Sequence, residues 1–181
     1  MGLEKKIILG GGCFWCVEAV IQRLIGVAAV IPGYSGGQVP GKPTYREISS
    51  GRTGHAEVVA VRYDSEIIDL RAILQVFFST HNPTTLNRQG ADVGTQYRSV
   101  IFYKDQAEKA EIALVIKEMQ AYFSEPIVTS LEPLAPFYEA EKEHHNYYDQ
   151  HPTQGYCQVV IDPKIAVLKK GFKNLLKDAI E

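Results

Sequence analysis

The sequence contains no run of about 18 consecutive apolar residues, so no segment is expected to cross a membrane. Near the N-terminus one short apolar run, Ile7-Ile8-Leu9, stops at Gly10-Gly11-Gly12. It is too short for the core of a secretory leader, and a cytoplasmic protein is expected. Basic clusters are equally scarce. A formal net charge of -2 and scattered Lys and Arg leave no electrostatic footprint for nucleic acid. The run Lys169-Lys170-Gly171-Phe172-Lys173 reads as the solvated face of a helix. No G-x-G-x-x-G loop lies between a strand and a helix, which argues against a doubly wound nucleotide-binding sheet. Cysteine is limited to Cys13, Cys16 and Cys157. An odd number without a secretory signal excludes a disulfide scaffold and leaves metal binding or redox chemistry.

With 181 residues, 45% hydrophobic and 22% charged, the chain suits a single catalytic domain, 1–181, with one substantial core. Lys5–Leu9 reads as a buried strand ending in a glycine turn. From Cys13 the apolar spacing becomes helical, with Phe14, Val17, Val20, Ile21 and Leu24 on three- and four-residue steps. Val27–Ile31 and His55–Tyr63 read as strands, separated by a Gly/Pro-rich loop over 32–43. Asp69 caps a helix whose stripe is Leu70, Ile73, Leu74, Phe77 and Phe78, ended by Asn82-Pro83. Thr84–Gln96 is a long polar loop of the kind that carries function. Tyr97–Tyr103 and Ile127–Leu131 read as strands. Between them Asp105 and Glu108 form a capping box for a helix reaching about Phe123. A helix is expected over Pro136–Tyr148. Asp162-Pro163 opens a last one, with Ile165, Leu168, Phe172 and Leu175 inward. The interleaving predicts an α+β two-layer sandwich, a mixed sheet with packed helices. Its C-terminal segment, about 150–181, carries Cys157 and the final helix.

The chemistry concentrates at Gly11-Gly12-Cys13-Phe14-Trp15-Cys16. A cysteine at a helix start faces unpaired backbone N–H groups and the positive end of the dipole, which favours its thiolate. The glycines are expected to leave the sulfur approachable. Phe14 and Trp15 cannot both face the core. An exposed aromatic pair beside the thiol would wall a pocket for a small apolar group. Glu57 lies among Val58, Val59, Ala60 and Val61, where partial desolvation would keep a carboxyl protonated. Cys13-Phe14-Trp15-Cys16 alone also suits a thioredoxin-like disulfide oxidoreductase. Cys13 and Cys16 with Cys157, His144 or His145 would suit a zinc site.

Taken together the motifs resemble those of the peptide methionine sulfoxide reductase A family over roughly residues 7–160. Gly12-Cys13-Phe14-Trp15, Tyr45, Thr53-Gly54-His55-Ala56-Glu57, Gly94-Thr95-Gln96-Tyr97-Arg98-Ser99, Phe137-Tyr138-Glu139-Ala140-Glu141, His144, Tyr147 and Gly155-Tyr156-Cys157 carry the likeness. Cys16 stands where many members have glycine, His145 where glutamine is common, Asn82 where aspartate is, and Ala91 where asparagine is. The resemblance implies reduction of the S epimer of methionine sulfoxide, free or in proteins. Cys13 would be the nucleophile, Glu57 the proton donor, and Tyr45 and Tyr97 the hydroxyl donors. Phe14, Trp15, Asp92, His144, Tyr147 and Tyr156 would bind substrate or orient the site. Cys13 would become a sulfenic acid that condenses with a second thiol. The resemblance gives that resolving role to Cys157. Cys16, about 5–6 Å away on one helical face, is the alternative. Thioredoxin, or dithiothreitol in vitro, would reduce the bridge, and no bound cofactor is implied. A monomer is expected.

Overall fold

A computed structural model describes residues 2–177, so the last four residues of the expected C-terminal segment lie outside the described ones. The strands are β1 (Glu4–Gly10), β2 (Val27–Ser35), β3 (Ala56–Asp64), β4 (Arg88–Gln89), β5 (Asp92–Val93), β6 (Val100–Tyr103), β7 (Ser130–Pro133) and β8 (Phe137–Glu139). The helices are α1 (Phe14–Ile21), α2 (Tyr45–Ser49), α3 (Leu70–Ser79), α4 (Gln106–Met119), α5 (Tyr147–Gln150) and α6 (Asp162–Gly171). Six strands form one sheet in the order β7-β6-β1-β3-β2-β8. Its pairs are antiparallel except β6 with β7, so the sheet is mixed and the α+β two-layer reading holds.

Successive side chains of a strand point to opposite faces, and this alternation positions the chemistry. Ala56, Val58 and Ala60 of β3 join Ile8 and Phe102 in a small cluster on one face. Val59 and Val61 point the other way, into the main core with Ile7, Leu9 and the helices. Glu57 shares that helix-covered face, paired in register with Tyr34. The stripe of α3 forms as expected, capped by Asp69, whose side chain accepts the Ala72 N–H at 2.8 Å. It buries Ile73, Leu74, Phe77 and Phe78, each worth about 1.5–3 kcal/mol in transfer free energy.

Several expected elements differ. β2 runs on through Pro32 and Gly33 because β8 pairs against Gly33–Ser35. A Cβ on Gly33 would meet the Tyr138 carbonyl at 2.5 Å, so the glycine admits a neighbouring strand rather than a loop. The expected helix over Pro136–Tyr148 is instead β8, a 3-10 turn Lys142–His144 and the short α5. Asn146 between the last two stands in the left-handed region at φ 52. Residues 137–139 find sheet partners, and cross-strand hydrogen bonds outweigh their helical spacing. Tyr97 ends a 3-10 turn before β6, and the strand expected at Ile127–Leu131 lies at Ser130–Pro133. The long polar loop carries the small hairpin β4–β5. The box at Asp105 is half formed: Asp105 accepts the Glu108 N–H, while Glu108 accepts that of Lys104 rather than that of Asp105.

Candidate active site

Cys13 is the N-cap of α1, with extended dihedrals (φ -62, ψ 131). An N-cap side chain points back over the first turn toward the third helical residue, which here is Cys16. The two thiols therefore face one another without distorting the helix. Three glycines bring the chain to this point, but none leaves open space. Gly12 turns at φ 93, and an added Cβ would meet Gln89 at 2.6 Å. Added Cβ atoms on Gly10 and Gly11 would meet the Glu57 carbonyl and the Phe77 ring, both at 2.9 Å. The glycines pack the strand end against the protein rather than baring the sulfur to substrate.

The thiol energetics differ from the sequence expectation. Burial raises the Cys13 thiol well above the usual cysteine range, helped by its interactions with Cys16 and Glu57, and the Trp15 backbone N–H offsets this only in part. Helix-terminus stabilisation loses because the sulfur is shut away from water, at 6% exposure. Cys16 is the thiol that is lowered, first by the hydrogen bond from Cys13, then, against burial, by the Lys164 charge and the Tyr156 hydroxyl. Lys164 of α6 is half-buried, donates to the Thr80 carbonyl at 2.6 Å, and lines a closed cavity with Gly11, Cys16 and His81. Burial lowers its pKa.

Glu57 is 1% exposed. Its Oε1 accepts the Phe14 backbone N–H at 3.1 Å, which ties β3 to the first turn of α1. Its Oε2 has no hydrogen-bond partner among the described residues. Burial pushes the carboxyl up to about 8, against the pull of the Phe14 N–H, so at neutral pH it holds a proton. Tyr45 and Tyr97 are half-buried, and both feel the charges of Glu57 and Cys13. Burial pushes Tyr45 up to about 12 and raises Tyr97 further. Both stay neutral hydroxyl donors.

The aromatic wall forms, though not from an exposed pair. Phe14 is fully buried among Tyr34, Tyr45 and His144, with ring centroids at 5.6, 6.3 and 5.4 Å. Trp15 alone stays half-buried. Tyr147 stacks on it at 3.7 Å and 5°, and Tyr156 meets its edge at 5.8 Å. The indole N–H donates to His144 Nδ1 at 3.1 Å. That nitrogen must therefore be unprotonated, and burial lowers the His144 pKa accordingly. His144 and Tyr147 both fall in the helix expected over Pro136–Tyr148; they lie instead on different turns around Asn146, yet both reach Trp15. The Tyr156 hydroxyl donates to Asp92 at 2.7 Å and lies 3.6 Å from the Cys16 sulfur. Asp92 thus joins the site through β5.

Cys157 lies in a π-helical turn, Cys157–Ile161, that runs straight into α6. It is fully buried, and its thiol donates to Gln154 at 3.6 Å. Burial and the Cys16 charge raise its pKa. Among the described residues no three His, Cys, Asp or Glu side chains converge as metal ligands.

Three functional neighbours were not singled out in the sequence. Glu141 accepts the Tyr34 hydroxyl at 2.9 Å and the Tyr45 backbone N–H at 2.8 Å. Burial pushes its carboxyl up, but these donors outweigh burial and hold it below the usual range. Its place in a quoted motif was the available signal. Lys164 and the buried Glu18 had none, because a lysine or glutamate on a helix reads as solvated.

A family model described as peptide methionine sulfoxide reductase matches residues 5–176. The peptide methionine sulfoxide reductase MsrA of Paenarthrobacter aurescens is 54% identical over 172 residues, 95% of this chain and 98% of that protein. The crystal structure of Mxr1 from Saccharomyces cerevisiae in reduced form is similar with a TM-score of 0.79 and 36% identity, covering 85% of this chain and 89% of that one. Mxr1 in complex with Trx2 matches with a TM-score of 0.55 and 28% identity, covering 80% and 84%.

Proposed function

The chain belongs to the peptide methionine sulfoxide reductase family and reduces methionine sulfoxide, and from that premise we propose how its residues divide the work. The observation that carries the proposal is the Glu57 carboxyl: protonated, buried, with one oxygen free, beside the Cys13 thiol. Cys13 attacks the sulfoxide sulfur, and the oxygen passes to the Cys13 sulfur as methionine departs. Written out, Cys13–SH and the sulfoxide give Cys13–SOH and methionine, so no net proton enters or leaves. The methionine sulfur gains two electrons and the Cys13 sulfur loses two. Glu57 gives its proton to the sulfoxide oxygen and regains one from Cys13, which is why the raised thiol pKa is no obstacle. The Tyr45 and Tyr97 hydroxyls hold the oxygen as its charge grows.

Trp15, with Tyr147 and Tyr156, forms the apolar wall for the methyl group. Asp92 and His144 fix Tyr156 and Trp15 in place, and Phe14 anchors the first turn from below. Cys13–SOH then condenses with a second thiol, water leaves, and a disulfide forms. Cys157 supplies the bridge that an external dithiol opens by exchange. Cys16, whose thiol faces that of Cys13, is the competing first acceptor. The Trx2 complex of the yeast relative supports thioredoxin as that dithiol. The whole chain acts as one catalytic domain, with Cys157 delivered by its C-terminal segment, and it works as a cytoplasmic monomer without a bound cofactor. Among the described residues no helix is long and apolar enough to cross a membrane.

Turnover of the two separated methionine sulfoxide epimers with dithiothreitol tests the reading. Only the S epimer should yield methionine. Counting free thiols after one equivalent should show two lost in the wild type and one in Cys157→Ser. That variant should release one methionine and then fail to cycle with thioredoxin. If Cys157→Ser still loses two thiols and cycles, Cys16 is the resolver. Disulfide exchange without reduction of either epimer would restore the thioredoxin-like alternative.

A further inference from the structure

Glu18 is a buried charged side chain that the chemistry above leaves without a task. It is 2% exposed in α1, flanked by the buried Val17 and Ala19. Its Oε2 accepts the Asn146 backbone N–H at 2.9 Å, and the nearby Tyr147 backbone N–H also favours the charged carboxylate. Its Oε1 has no hydrogen-bond partner among the described residues. A carboxyl buried this way is costly unless the bonds it makes are needed. Those bonds fall on the corner where Asn146 stands at φ 52, a left-handed conformation that asparagine reaches more readily than most side chains and that its N–H bond to Glu18 helps to hold. On one side of that corner is His144, bonded to the Trp15 indole; on the other is Tyr147, stacked on its face.

We propose that Glu18 is a positioning residue for the substrate pocket: its carboxylate pins the left-handed corner at Asn146, which sets His144 and Tyr147 against Trp15 and thereby fixes the affinity for the sulfoxide substrate. The inference rests on Trp15 and its partners being the pocket wall. The ionised carboxylate can accept both N–H groups, whereas the protonated acid places an O–H among donors and weakens the hold. Burial, working against the Asn146 and Tyr147 N–H groups, pushes Glu18 up to about 7, so the corner is pinned above that pH and released below it. The charged groups facing it are His145 and Asp149. Asp149 is paired with Arg23 at 2.6 Å, and His145 is held by the Ala140 carbonyl at 3.0 Å.

Trp15 is the only tryptophan, so its emission reports this corner alone. In the wild type, emission should change with a midpoint near 7, and KM should rise as pH falls through that midpoint. Glu18→Gln should raise KM at about pH 8 by about threefold to tenfold, the loss expected of a charge-assisted bond, with kcat within about twofold. Its KM and emission should no longer titrate near 7. A Glu18→Gln protein that matches the wild type in KM and emission across this range overturns the proposal. If that variant does not fold, the wild type still decides. The carbon-13 shift of the Glu18 carboxyl and the Trp15 emission must titrate together, and separate midpoints overturn it. Emission that stops titrating in Glu18→Gln while KM stays unmoved would instead overturn the assignment of this wall as the substrate pocket.

Discussion

Two buried carboxyls border helix α1, Glu57 of β3 at its first backbone N–H and the helix's own Glu18 a turn further along, and they meet the same physical problem. Glu57 and Glu18 are each nearly inaccessible, each accept a backbone N–H through one oxygen, and each leave the other oxygen without a partner among the described residues. Burial lifts both, to about 8 and about 7. What separates them is the company each keeps. The Glu57 carboxyl lies against a thiol and is overlooked by two neutral tyrosine hydroxyls, so its proton can move during a reaction. The Glu18 carboxyl faces the backbone of a left-handed corner, so its charge can hold geometry. Burial alone therefore does not mark a catalytic acid; a reactive partner within reach does.

The comparison breaks most sharply on removal of the proton. Glu57→Gln should slow single-turnover methionine release by about 10²–10⁴-fold, the usual worth of a positioned acid. Glu18→Gln should barely change that rate at saturating substrate. A loss below tenfold in Glu57→Gln would deny Glu57 its role. The pH dependence sharpens the contrast: the role proposed for Glu57 needs its protonated form, so the wild-type rate should fall as pH rises through about 8. Glu18→Gln should keep that alkaline limb.

A smaller effect concerns the thiols. Lys164→Met removes a half-buried positive charge near Cys16 and should raise the Cys16 pKa, with a loss of thiolate at neutral pH. Thiolate absorbance in a Cys13→Ser, Cys157→Ser background reads this directly, and an unmoved titration would remove Lys164 from the site.

The smallest effect is on stability. A carboxyl whose folded pKa is raised contributes most below its unfolded value, and that contribution is lost as pH rises through the folded pKa. The wild type should therefore lose stability between about pH 5 and about pH 9, through about 7 for Glu18 and about 8 for Glu57. Denaturant midpoints in Glu57→Gln and Glu18→Gln should fall less steeply over that interval. A slope unchanged in both variants would show that neither group is lifted as described.

Much of this site could be read in the sequence where the signal is local. The strand–glycine–cysteine–helix junction, the α3 stripe and the alternation that buries Glu57 all follow from spacing within one element. Legibility fails where a partner far along the chain decides. Residues 136–148 carry helical spacing, but β2 recruits Phe137–Glu139 as a strand and Glu18 fixes the corner that follows. The Cys13 thiolate was expected from the helix terminus. Burial beneath residues distant in sequence reverses that balance. Glu18 and Lys164 look like solvated helix residues until segments more than 80 positions away cover them.

In the proposed division of labour Cys13, the thiol harder to ionise, carries the sulfoxide oxygen while Cys16 does not. Trapping with dimedone tests it most directly, in a Cys16→Ser, Cys157→Ser variant given one equivalent of methionine sulfoxide and mapped by peptide mass spectrometry. The account predicts one methionine released per chain and the adduct on Cys13, with neither methionine nor adduct in Cys13→Ser. Methionine release by Cys13→Ser with the adduct on Cys16 would contradict it.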